Sequence, residues 1–103
     1  MNENTAMNEN VTDPNGNVFA DLGFHEDEAE SLKIRAELMM HLTEYVERSA
    51  IGPEQAARHL GVPISQISAL LEGKIQAFTV DVLVEMLSRA GMRVKIDVER
   101  RPA

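Results

Sequence analysis

Residues 53–73 read PEQAARHLGVPISQISALLEG, and the fold can be inferred from this segment. Gly52 can occupy the N-cap position of a helix. Pro53 is tolerated at the first helical position, because a backbone N–H there would have no hydrogen-bond partner within the helix. Gly61 suits the left-handed backbone conformation that ends a helix. A second short helix is predicted over residues 64–72, so the pattern predicts two short helices joined by a tight turn.

Further helices and a strand are predicted on either side of this pair of helices. Residues 28–50 carry apolar side chains at three- and four-residue steps, which predicts a long amphipathic helix. A further helix is predicted between an N-cap at Thr79 and a stop at Gly91. Residues 92–99 alternate apolar and charged side chains, as a strand with one buried face does. The predicted fold class is all-α: a four-to-five-helix bundle with a helix-turn-helix and a short C-terminal β-strand.

The 103 residues are enough for one domain, predicted over residues 17–99. Residues 1–16 are polar, rich in turn formers and without periodicity, which predicts a disordered acidic tail. Residues 100–103 are predicted to be a short tail. The apolar segment 18–24 is predicted to dock on the domain through Phe19, Leu22 and Phe24, with an unstructured lead-in as the alternative.

The charge distribution bears on the class of partner. The formal net charge is −7, with 17 acidic and 10 basic residues. Residues 1–30 hold eight acids and no base, so the other 73 residues hold nine acids and ten bases and are nearly neutral. A locally basic face for phosphate contacts is therefore permitted there, although the net charge alone does not indicate one.

Several other classes are disfavoured. The chain has no cysteine, which excludes disulfides, thiolate metal sites and a thiol nucleophile. Its three histidines lack metal-site spacing, so no metal or cofactor is expected. Ser65 and Ser68 lie near His59 but not on a nucleophile elbow, so no enzymatic activity is expected. No apolar run is long enough for a signal peptide or a membrane span, and a cytoplasmic location is expected.

One motif resembles a known family. The spacing Ala57-x-x-Leu60-Gly61-Val62, followed by Ile67-Ser68-x-Leu70-x-x-Gly73-Lys74, is similar to that of the XRE regulators of the Cro and phage-repressor type. This resemblance covers about residues 30–100 and implies a lambda-repressor-like, sequence-specific DNA-binding transcriptional regulator. Small members with an acidic lead-in resemble the antitoxin half of a toxin–antitoxin pair, which implies an autorepressor with a basic toxin as partner.

The helix over residues 64–72 is the one expected in the major groove. At about 100° per residue, Ile64, Ile67, Leu70 and Leu71 share one arc, and small or polar residues occupy the other. Serine and glutamine can hydrogen-bond base edges, and alanine can meet a thymine methyl group. The predicted DNA-binding residues, each with an ordinary solvated position as its alternative, are Arg58, Ile64, Ser65, Gln66, Ser68, Ala69 and Lys74.

Three departures from the family pattern keep a second function open. Relatives usually carry Thr-Gln where this chain has Gly52-Pro53, and often Gln or Ser where it has Pro63-Ile64. The carboxylate of Glu72 would repel phosphate. The alternative is a protein-interaction module of the same fold with weak or no DNA binding.

The C-terminal strand is expected to pair antiparallel with its own copy, centred on Ile96. Arg93 would then face Glu99, Lys95 would face Asp97, and Val94 would face Val98 across the dimer, each ion pair contributing about 0.2 to 1 kcal/mol. The predicted dimerisation residues are Arg93, Val94, Lys95, Ile96, Asp97, Val98 and Glu99. Such a homodimer would suit a palindromic operator. Pairing with residues 18–20 of the same chain is the alternative.

Overall fold

The computed structural model describes residues 17–101, which form five α-helices and one short 3-10 helix. The predicted helical fold is therefore confirmed. The predicted disordered tail, residues 1–16, lies outside the described residues. In chain order the elements are α1 (Val18–Asp21), α2 (Glu26–Ser49), α3 (Pro53–Leu60), α4 (Ile64–Leu71), the 3-10 helix (Ile75–Ala77) and α5 (Val80–Arg89).

Local capping accounts for the observed helix ends. Gly52 is extended, with φ −73° and ψ 166°, and Pro53 follows it at the first helical position of α3. Gly61 ends α3 in the left-handed region at φ 71°. The Thr79 hydroxyl accepts a hydrogen bond from the Val82 amide at 3.2 Å and so caps α5. These helix boundaries were predicted from residues next to each helix end, and they are confirmed.

The core lies around α2, which packs most extensively against α5. Its buried Leu38, Met39, Leu42 and Val46 belong to one cluster with buried side chains of α3, α4 and α5. Phe78, between the 3-10 helix and α5, is also buried there. A hydrogen bond from α2 holds this segment in place, because Arg35 Nη1 donates to the Phe78 carbonyl at 3.3 Å. Helices α3 and α4 therefore pack against a core that α2 and α5 complete.

The first part of the segment 18–24 is helical, since Val18–Asp21 form α1 and Leu22 is its C-cap. Asn17 anchors α1, because Oδ1 accepts from the Phe19 amide at 3.0 Å and Nδ2 donates to the Ala29 carbonyl at 2.9 Å. The rings of Phe19 and Phe24 meet edge to face, with centroids 6.2 Å apart. The predicted docking of Leu22 is wrong: it follows the single turn of α1 and remains 69% exposed.

The predicted strand over residues 92–99 is absent from the described chain, because nothing there offers it a strand edge. Residues 18–20, the intrachain alternative, are helical and cannot pair with it. Met92 and Val94 instead pack against the core, while Ile96 and Val98 are 82% and 86% exposed. Arg101 Nη1 lies 2.5 Å from Glu26 Oε2, so this segment ends beside the start of α2.

Candidate nucleic-acid interface

The turn between α3 and α4 is fixed by backbone and core together. The Val62 amide donates to the Ala57 carbonyl at 3.1 Å, which closes the turn around the left-handed Gly61. Beneath it, Leu60 of α3 and Ile67 of α4 are almost completely buried. The two helices are therefore held in one relative orientation, as a helix that contacts bases requires.

The outward surface of α4 consists of the C-cap residue Glu72 and four exposed residues of the helix: Ile64, Ser65, Ser68 and Leu71. Ile67 and Leu70 point into the core, as predicted. Gln66 and Ala69 are half-buried, and Ala69 packs against the core cluster. The exposed serines are thus presented at the surface, whereas the alanine that was expected to meet a thymine methyl is partly covered.

The placement of Ile64 and Leu71 on the inward arc is wrong. Their exposures are 46% and 44%. They lie seven residues apart, which on an α-helix returns to within about 20° of the same direction. Ile67 and Leu70 fill the space between α4 and the core, so Ile64 and Leu71 remain exposed to solvent.

The basic candidates lie at the margins of α4. Arg58 is exposed on α3. Lys74 follows the left-handed Gly73, and its amide donates to the Ala69 carbonyl at 2.9 Å, which fixes its backbone just beyond α4. Lys74 Nζ lies 3.1 Å from Glu72 Oε1, with both side chains mostly exposed. Such exposed pairs contribute little, so a phosphate oxygen can compete with Glu72 for the ammonium group.

Arg89 is a residue that sequence reasoning missed. It lies at the end of α5, and its side chain covers Gly61: a Cβ atom built on Gly61 would lie 2.7 Å from Arg89 Cζ. A basic residue in the last turn of a helix is a common feature on its own. Its position over the turn follows only from how α5 packs against α3.

Neither a metal-binding cluster nor a membrane-spanning helix occurs within the described range 17–101. No three His, Asp or Glu side chains there come together as they would around a metal ion. None of the helices in this range is long and apolar enough to cross a membrane.

The comparisons with known proteins agree with this geometry. A family model described as a helix-turn-helix domain matches residues 18–99. A solved structure, described as a candidate XRE family transcriptional regulator, is similar with 27% sequence identity and a TM-score of 0.66, over 73% of this chain and 84% of that one. No curated protein matches the chain. The match to the family model spans every helix described above, and the chain therefore belongs to the helix-turn-helix domain family.

Proposed function

We propose that the chain is a sequence-specific, DNA-binding transcriptional regulator that inserts α4 into the major groove. The observation that carries this proposal is the outward surface of α4, where Ser65 and Ser68 are exposed on a helix held by Ile67 and Leu70. Short side chains allow close approach to base edges, and hydroxyl groups can hydrogen-bond them. Membership of the helix-turn-helix family supports the same function.

Arg58 and Lys74 are proposed to contact phosphates on either side of the groove. Both are exposed, and Lys74 is held next to the end of α4. Phosphate contacts position a protein on DNA but carry no sequence information. Loss of either cation should therefore weaken binding about equally on every duplex and reduce the salt dependence by about one charge.

The test is a binding titration by fluorescence anisotropy against the upstream region of the chain's own gene, at several salt concentrations. Ser68→Glu places a carboxylate on the outward surface and should weaken binding at least about tenfold. Met40→Glu is the control, because it adds the same charge at an exposed position of α2. Equal, feeble binding of wild type to all duplexes would instead favour the interaction module.

We also propose that the regulator acts as a homodimer through residues 92–99. Ile96 and Val98 are nearly fully exposed in the single chain, and alternate with charged side chains that an antiparallel copy would match. Ile96→Lys would place two like charges at the centre of the pairing and should yield monomers in sedimentation analysis. Ile34→Lys, at an exposed position of α2, is the control. A dimer that survives Ile96→Lys would contradict this interface.

The antitoxin role implied by the family resemblance is also proposed here. The acids at the start of α2 are exposed, and Leu22 beside them is exposed and apolar, so a basic protein with an apolar contact would complement this surface. The test uses a purified basic protein encoded next to the chain's own gene. Formation of a defined complex that weakens with salt supports the role, and failure to form one contradicts it.

A further inference from the structure

The first residue of α4 is an exposed aliphatic side chain at the place where base contacts are expected. Ile64 begins α4 and is 46% exposed. In helix-turn-helix complexes the N-terminal residues of the second helix contact base edges. An isolated exposed isoleucine is common on protein surfaces and needs no explanation by itself. Its position on the proposed DNA-contacting surface gives it a specific meaning.

The rest of the outward surface limits the chemistry available for reading bases. It offers the hydroxyl groups of Ser65 and Ser68, the aliphatic Leu71 and the carboxylate of Glu72. Arginine and lysine, which read guanine, and asparagine, which reads adenine, do not occur in α4. Gln66 is half-buried and Ala69 packs against the core, so neither is fully presented.

From this arrangement we propose that Ile64 determines sequence specificity by contacting the 5-methyl group of thymine in the major groove. That methyl group is the one apolar feature among the edges that the four bases present there. The contact removes aliphatic surface of Ile64 from water, while Ser65 and Ser68 hydrogen-bond neighbouring bases. The inference rests on the proposed DNA-binding function and adds the base feature that α4 reads.

Leu71 provides a matched control within the same helix. Its exposure is 44%, nearly that of Ile64, and it faces almost the same direction. It lies seven residues later, about 10 Å further along the helix axis at 1.5 Å per residue. Truncation of either residue removes similar exposed apolar surface, so a difference between the variants reports position on the DNA rather than hydrophobicity.

The experiment uses a duplex selected from a random-sequence pool for binding to the full wild-type chain. Each thymine is then replaced in turn by deoxyuridine, which removes only the methyl group. At one thymine per half-site, the replacement should weaken wild-type binding about fourfold, the value expected for one buried methyl group. Ile64→Ala should lose most of this difference, because its single methyl group reaches less far toward the base, whereas Leu71→Ala should keep the full difference.

Failure of this inference and failure of the proposed function give different results. If the chain binds its selected duplex specifically but no uracil replacement weakens it, or if Ile64→Ala keeps the full difference, thymine contact by Ile64 is overturned and DNA binding stands. If selection yields no duplex that is preferred over random DNA, both are overturned. A thermal unfolding transition like that of wild type establishes that Ile64→Ala is folded.

Discussion

The guanidinium end of Arg89 packs directly over Gly61, so that a Cβ atom on Gly61 would lie 2.6 Å from Arg89 Nε. Gly61 forms the turn between α3 and α4, and Arg89 ends α5. The relationship connects the element that positions α4 to the last helix of the core. The left-handed backbone at φ 71° is what favours glycine at this position, because the exposed end of the Arg89 side chain can move aside.

Gly61→Ala should lower the free energy of unfolding by about 1 to 2 kcal/mol, because alanine is strained at φ 71°. The added methyl group would also meet the end of the Arg89 side chain, but Arg89 is exposed and can move aside at little cost. Gly73→Ala is the matched control, since Gly73 has φ 74° with no atom within 4 Å of the added Cβ. The two variants should therefore lose similar stability in urea denaturation, and a much larger loss for Gly61→Ala that Arg89→Ala removes would show that Arg89 cannot move aside.

Thr79→Ala should destabilise the domain by about 1 kcal/mol, because it removes the hydroxyl that accepts from the Val82 amide at 3.2 Å. Ser88→Ala, an exposed position near the other end of α5, should have little effect. Thermal or urea denaturation of both variants checks this. Equal stability of Thr79→Ala and wild type would show that the cap contributes nothing.

Asn17→Asp should release α1 from α2 while α1 keeps its cap. The aspartate can still accept from the Phe19 amide, but it cannot donate to the Ala29 carbonyl as Asn17 Nδ2 does at 2.9 Å. Hydrogen exchange at residues 18–24 should become faster, while exchange in the buried part of α5 stays as in wild type. Unchanged exchange at residues 18–24 would mean that the hydrogen bond from Asn17 to Ala29 does not hold α1 in place.

Lys95→Asp should weaken the proposed dimer, because in antiparallel pairing centred on Ile96 it places two carboxylates opposite each other. The double variant Lys95→Asp with Asp97→Lys restores opposite charges at both places and should restore the dimer. Sedimentation at several concentrations measures the association. If the single and double variants associate equally, residues 95 and 97 do not face each other between copies.

Local signals in the sequence were sufficient for the helix ends. Gly52-Pro53, Gly61 and the Thr79 cap act on their own backbone neighbours, so α3 was predicted with its observed bounds, and α4 was predicted one residue too long. The inward placement of Leu71 failed because rotation around a helix does not reveal how wide the buried face is. Ile67 and Leu70 already fill the core below α4.

Features that depend on distant parts of the chain could not be predicted in this way. The contact of Arg89 with Gly61 follows from tertiary packing, and the bond from Asn17 to Ala29 fixes α1 across a turn. The alternation in residues 92–99 predicted a strand with Val94 facing Val98 of a second copy, whereas Met92 and Val94 pack against the helical core of the same chain. It predicts a strand only where another edge is available, and the described part of the chain provides none.

Insertion of α4 into the major groove can be measured directly, because bound DNA should cover the outward surface of α4. The chain has no cysteine, so Ser68→Cys and Met40→Cys each introduce one thiol, both at exposed positions. Alkylation rates are compared with and without a saturating duplex, with binding established by anisotropy in the same buffer. If α4 lies in the major groove, DNA should slow alkylation at position 68 at least about tenfold and leave the rate at position 40 unchanged. Equal alkylation of Ser68→Cys in the free and DNA-bound protein would contradict this placement of α4.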